Sequence, residues 1–121
     1  ERRVVETDAD EVELPGSEGY LGILPGHTPL ITLLKTGVLS YRRGGAREAM
    51  AISGGFAEVS EDRVSVLADS AESAAQIDAV SAERERAAAE KEMATASGET
   101  LPAIRDRFEL ASARLSVARR S

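Results

Sequence analysis

Few residues of this 121-residue chain are of types that do chemistry, and their spacing limits what they can do. His27 is the single histidine and there is no cysteine. That excludes a thiol nucleophile, a thiolate or multi-histidine metal site and a disulfide framework. Set between Gly26 and Thr28-Pro29, His27 is of a type that serves as a base or a ligand, but a loop-shaping hydrogen bond accounts for it more simply. Gly16, Gly19 and Gly22 imitate a phosphate-cradling loop without its Lys and Ser/Thr and outside any strand-to-helix unit, so turn glycines explain them better. The acid pairs Glu61-Asp62 and Glu90/Glu92 fall in a turn and on a polar helix face, where carboxylates are ordinarily just solvated. No nucleophile, base and oxyanion donor can be assembled from these residues. A non-catalytic chain without cofactor or metal is the expectation.

The elements that must position these residues divide into two modules. Residues 1–70 hold nine of the ten glycines and three of the four prolines, the vocabulary of strands and turns, whereas residues 71–121 hold fourteen alanines. The boundary is read in Ser70-Ala71-Glu72-Ser73-Ala74-Ala75-Gln76, giving a β domain over 1–70 and a helical hairpin over 71–121. The net charge of −6 argues against a nucleic-acid partner. No apolar run approaches the ~18 residues needed to span a bilayer.

In the first module short apolar runs alternate with turn chemistry. Val4-Val5, Val12 with Leu14, Tyr20 to Leu24, Gly37 to Tyr41, Glu48 to Ile52, Phe56 to Val59 and Val64 to Ala68 read as strands. Pro15-Gly16-Ser17-Glu18-Gly19, Arg43-Gly44-Gly45, Ser53-Gly54-Gly55 and Ser60-Glu61-Asp62 break them. Such spacing favours a small antiparallel sandwich or barrel. Glu1-Arg2-Arg3 stands directly against Val4-Val5 with no preceding turn, as a clipped first strand would.

In the second module Leu101, Ile104, Phe108, Ala111, Leu115 and Ala118 recur at steps of three and four, one apolar stripe on a helix. Ala79, Ala82, Ala89, Met93 and Ala96 follow the same steps with Arg86 in the missing place, so two arms of roughly 18 residues pair as an antiparallel hairpin. Gly98 suits a left-handed helix end, Thr100 a cap and Pro102 a first turn. The fold class is therefore α+β: an antiparallel β-sandwich followed by an antiparallel two-helix hairpin. Alanine on the seam makes the hairpin only marginally stable alone, a suitable basis for a switch.

The run Leu14-Pro15-Gly16-Ser17-Glu18-Gly19-Tyr20-Leu21-Gly22-Ile23-Leu24-Pro25-Gly26-His27-Thr28-Pro29-Leu30 resembles the signature of the epsilon subunit of F-type ATP synthases. Leu34 to Leu39, Ser53 to Val59 and Val64 to Asp69 match it in the same order. The resemblance covers nearly the whole chain and implies a bacterial-type central-stalk subunit. Such a subunit is held to the gamma subunit, rests on the ring of c subunits, and lies peripherally on the cytoplasmic face of the inner membrane. It transmits rotation without catalysis of its own. The resemblance puts Glu18, Gly19 and Tyr20, with the turn at Gly26, His27, Thr28 and Pro29, against the polar loops of the c-ring. Relatives often carry a second acid where Tyr20 stands, which leaves Glu18 to supply the charge and Tyr20 to pack.

The family's hairpin extends along gamma into the catalytic head and blocks hydrolysis. The resemblance then gives Arg105, Arg107, Arg114, Arg119 and Arg120 as contacts to acidic surfaces of the beta and alpha subunits. Some relatives bind ATP on the folded hairpin, and Glu72, Ile77, Asp78, Ala82 and Arg114 occupy matching positions. Ser81 and Leu110 stand where arginines are expected, with Arg84 or Arg107 nearby as partial substitutes. Two lost charge-assisted contacts predict ATP binding weaker by on the order of 10² to 10⁴. A free-standing small-ligand or nucleotide sensor using the hairpin as a lid is the competing reading, and a hydrolase in its own right is disfavoured by the missing residues.

Overall fold

The computed structural model describes residues 3–7, 10–26, 28–61 and 63–120, with residues 3–7 placed by their backbone. Seven strands come first: β1 (Arg3–Thr7), β2 (Glu11–Gly16), β3 (Gly19–Ile23), β4 (Leu30–Leu34), β5 (Gly37–Arg43), β6 (Ala46–Val59) and β7 (Val64–Ser73). Two helices follow, α1 (Ala79–Met93) and α2 (Leu101–Arg119). Every strand pairing is antiparallel. The hydrogen-bonded path runs β1-β7-β6-β4-β2-β3, and β5 closes a ring by pairing with both β2 and β6.

The long strand β6 makes this closure possible. Its first half pairs with β5, Gly37 opposite Ile52 through Arg43 opposite Ala46, and its second half with β4, Leu30 opposite Val59 through Leu34 opposite Gly55. The bend between the halves is carried by Gly54 and Gly55, both at positive φ (62° and 115°), a conformation open to glycine and strained for other residues. A Cβ on Gly55 would also collide with the Leu67 carbonyl oxygen and come within 2.8 Å of Ala68 Cα. Ser53-Gly54-Gly55, expected to interrupt the chain, instead bends one continuous strand and passes it from one face of the sandwich to the other.

Period-two alternation sends Val12, Leu14, Ile23, Leu34, Leu39, Ile52, Ala57, Val59, Val66 and Ala68 into one interior. Four sequence expectations shift. Leu30–Leu34 is a strand that the turn-by-turn reading passed over. β7 continues to Ser73, so the boundary drawn after Ser70 falls inside a strand: Ser70, Ala71, Glu72 and Ser73 still pair with Ser53, Ile52, Ala51 and Met50. The arms are unequal, 15 and 19 residues. α1 stops at Met93, and Gly98 (φ 62°) opens a short 3-10 turn leading into α2. Thr100 makes no side-chain cap; its Oγ1 donates instead to the Ser97 carbonyl at 3.1 Å.

The hairpin pairs as the periodicity requires. Ala82 and Ala89 of α1 and Ala111 and Leu115 of α2 are buried, and Ala113 and Val117 on another face of α2 are buried too. α2 is thus covered on two sides, by α1 and by β5 and β6, where Ala113 and Val117 pack on Val38 and Ala51 with Ala49, Ala74 and Ile77 alongside. Arg86 on the seam is accommodated by ion pairs to Glu83 (2.8 Å) and Glu90 (2.7 Å) of its own helix.

Candidate functional site

Glu18 sits exposed at the tip of the β2–β3 turn, which is anchored by the Ser17 N–H donating to Leu33 O and the Lys35 N–H donating to Pro15 O, both at 3.0 Å. Gly19 holds φ at 131°, which fits the turn to glycine. Tyr20, the second residue after Glu18, is 51% exposed and also has a partner within the chain. Its ring leans across the sheet, and its Oη accepts a hydrogen bond from the Val38 N–H at 3.0 Å. The Gly26–Pro29 turn lies at the far end of β3, where the Gly26 N–H donates to Glu61 O at 3.0 Å. With about 3.3 Å per residue over the five residues of β3, the two turns are separate points rather than one cluster. His27 lies outside the described residues, and Pro29 is exposed.

A second surface was not singled out in the sequence. Ile31 and Leu33 on β4 are 71% and 67% exposed. In register, Leu33 faces Phe56 of β6 and Phe56 faces Leu67 of β7. Because Leu34, Ala57, Val66 and Ala68 point inward, these residues share the outer face. The result is an apolar band across three strands, the kind of patch that marks a protein-contact surface. The available signal was Leu30-Ile31-Thr32-Leu33-Leu34 itself, apolar at successive positions where a strand with one wet face would alternate.

The residues grouped for nucleotide binding have other partners here. Glu72 and Arg114 meet each other, Arg114 Nε lying 2.8 Å from Glu72 Oε1 and its Nη2 donating to Oε2 at 3.4 Å. The Nε contact is close but not aligned as a hydrogen bond. Asp78 caps α1, accepting from the Val80 and Ser81 N–H groups. Ile77 packs into the seat of α2, and Ala82 is fully buried between the helices. The structure therefore brings Glu72 and Arg114 together, but as a clasp between β7 and α2.

The arginines proposed for contacts with other chains divide similarly. Arg107 bridges the hairpin, pairing with Glu85 (2.9 Å) and Glu92 (2.8 Å), so it is not free to substitute for a missing nucleotide ligand. Its guanidinium holds the Glu92 carboxyl below the ordinary glutamate value. Arg86 chiefly, with a smaller contribution from Arg119, does the same to Glu83. Arg105 and Arg119 are exposed, and Arg120 borders a groove shared with Glu13, Arg47 and Glu48. Thr36, almost wholly buried, donates to Asp106 at 2.7 Å and ties the β4–β5 connection to α2. Among the described residues no group of three or more His, Cys, Asp or Glu is placed to hold a metal, and no helix is long and apolar enough to cross a membrane.

Residues 1–74, a span that takes in the strands through β7, match the family model of the ATP synthase delta/epsilon chain β-sandwich domain. An ATP synthase epsilon chain from Anaeromyxobacter is 44% identical over 122 residues, an alignment spanning 99% of this chain and 92% of that one. The chain belongs to the epsilon-chain family of F-type ATP synthase. An epsilon chain from Myxococcus xanthus is 41% identical, with 93% and 79% of the two chains covered. One from Solibacter usitatus is 51% identical over 78 residues, covering 64% and 58%. A chain of the Euglena gracilis mitochondrial ATP synthase superposes with a TM-score of 0.76 at 23% identity, covering 91% of this chain and 69% of that one, a likeness of fold. The epsilon-family hairpin is the part outside the family-model match, and it is there that this chain departs from the expected nucleotide-binding pattern.

Proposed function

We propose that this chain is a non-catalytic rotor subunit that joins the gamma shaft to the c-ring and regulates hydrolysis through its hairpin. The observation that carries the reading is the outward apolar band of Ile31, Leu33, Phe56 and Leu67, set on a sandwich whose strands close into a ring. A closed, glycine-bent body resists shear, and an exposed band of this kind on one side gives a shaft something to bind. Glu18 at the β2–β3 tip and Pro29 at the far turn are the two points offered to the ring, on the cytoplasmic face of the membrane. Arg105, Arg119 and Arg120 are the cations open to the beta and alpha subunits when the hairpin leaves its seat, while Arg107 and Arg114 must first break their internal pairs.

Mixing the full chain with a gamma chain should give a 1:1 complex by light scattering, and failure to associate at micromolar concentrations overturns the coupling role. Removing residues after Ala75 and measuring hydrolysis by the reconstituted complex tests the regulatory role. A rise supports a brake, and an unchanged rate refutes it. The nucleotide-sensor reading gains nothing from the geometry, because Glu72 and Arg114 neutralise one another and Asp78 is engaged in capping α1.

A further inference from the structure

Tyr20 links the β2–β3 turn to the start of β5, beside the backbone contact of Lys35 with Pro15. On one edge of β5, Val38 pairs with Ala51 of β6. On the other edge β2 accompanies β5 only from Ser40 to Arg42, so no strand meets the Val38 N–H there. The Tyr20 hydroxyl reaches across and accepts that N–H at 3.0 Å. Gly37 makes room for it: a Cβ there would lie 2.7 Å from Tyr20 Oη and 2.9 Å from Pro15 Cβ. Val38 is buried while Tyr20 is 51% exposed, so the hydroxyl gives a part-buried N–H an acceptor that phenylalanine does not carry.

What Tyr20 steadies is the seat of α2. The Val38 side chain packs with Ala51, Ala113 and Val117, and two residues earlier Thr36 donates to Asp106 of α2. Tyr20, Thr36 and Val38 also line one wall of a cleft of about 330 Å³ whose other wall is Phe108, Ser112 and Ala113 of α2. At its other end Tyr20 follows directly on the Ser17-Glu18-Gly19 turn, where Glu18 projects into solvent. One side chain therefore spans from an exposed, partner-accessible turn to the surface on which the hairpin rests.

We propose that Tyr20 is a positioning residue that couples the Ser17–Gly19 turn to the docking of α2, so that a protein loop drawing this turn outward withdraws the phenol from Val38 and loosens the hairpin. The linkage is reciprocal: whatever frees α2 also frees Tyr20. It rests on the c-ring reading only for the identity of the partner loop; the coupling itself is a property of the isolated chain and is tested there.

Two measurements on the full chain decide it. In Tyr20→Phe, amide exchange over residues 106–117 should rise roughly five- to tenfold, the factor carried by a net hydrogen bond, while the paired amides of β6 and β7 keep their parental rates. Exchange in α2 that stays at the parental rate overturns the proposal. The second measurement perturbs the opposite end. The chain has two tyrosines, so 3-fluorotyrosine labelling gives two ¹⁹F resonances, assigned with Tyr41→Phe. Asp106→Ala combined with Arg114→Gln should shift and narrow the Tyr20 resonance and leave Tyr41 in place. An unmoved Tyr20 resonance, or equal movement of both, overturns the coupling. Because no ring is present in either experiment, failure of the c-ring reading would leave these outcomes unchanged.

Discussion

Replacing Ile31 and Leu33 together by alanine should separate folding from assembly. Both side chains stand outside the core, 71% and 67% exposed, so the folded chain loses little packing and its stability should change by less than about 1 kcal/mol, chiefly through strand propensity. Binding is different. Full burial of a leucine or isoleucine side chain contributes about 1.5–3 kcal/mol, and roughly two thirds of each remains to be buried against a partner. That is about 1–2 kcal/mol per residue and about 2–4 for the pair, a fall in affinity of roughly 30-fold to 10³-fold. Titration calorimetry against a gamma chain reads the affinity, and a thermal melt of the variant alone reads the fold. A variant that melts like the parent and binds gamma within about threefold of it, ~0.6 kcal/mol, would show that the β4 face is not the grip.

Gly55→Ala should lower stability by about 3 kcal/mol or more, through left-handed backbone and collision with the Leu67 carbonyl, and the melting temperature by more than about 10 °C; a shift of a degree or two would refute the assigned bend. The hairpin should loosen in acid. The Glu83 and Glu92 carboxyls are held below the ordinary glutamate value near 4.3 by Arg86 and Arg107. Their ion pairs therefore contribute fully above that pH and are lost as pH falls through the lower folded-state values. Exchange of α1 and α2 amides followed from pH 6 to pH 3 should show it, more weakly in high salt, and helices equally protected at both ends of that range would contradict it. ATP should bind the isolated chain no tighter than the millimolar range, given Ser81 and Leu110 and the engagement of Glu72, Arg114 and Arg107 with one another and with Glu85 and Glu92; a micromolar dissociation constant by calorimetry would refute that.

The architecture was legible because two periods separate cleanly along the chain. Alternation with turn glycines over the first module and steps of three and four from Leu101 to Ala118 each permit one packing. The missed strand shows where pattern reading fails. Leu30–Leu34 lacks the wet half of an alternating strand, since its outer residues form a contact face. Ser53-Gly54-Gly55 has the composition of a turn, and only the neighbouring strand β7, which pairs with Ser53 and Gly55 on either side of Gly54, keeps it extended. At the candidate sites sequence named residues but not partners. Arg107 and Arg114 read as free cations because the acids that meet them, Glu85, Glu92 and Glu72, lie 15 to 42 positions away. The internal bond of Tyr20 was not legible, because nothing local reveals that the Val38 N–H lacks a strand beside it.

The joint between α2 and the body is closed largely by small side chains, the methyl groups of Ala49, Ala51, Ala74 and Ala113 beside Val38, Val117 and Ile77. A lever that lifts off such a joint leaves shallow dimples rather than a greasy trench, so water rewets both halves at little expense. The opened arms stay dispersed instead of sticking to stray chains, and they settle back with few bulky branches to interlock.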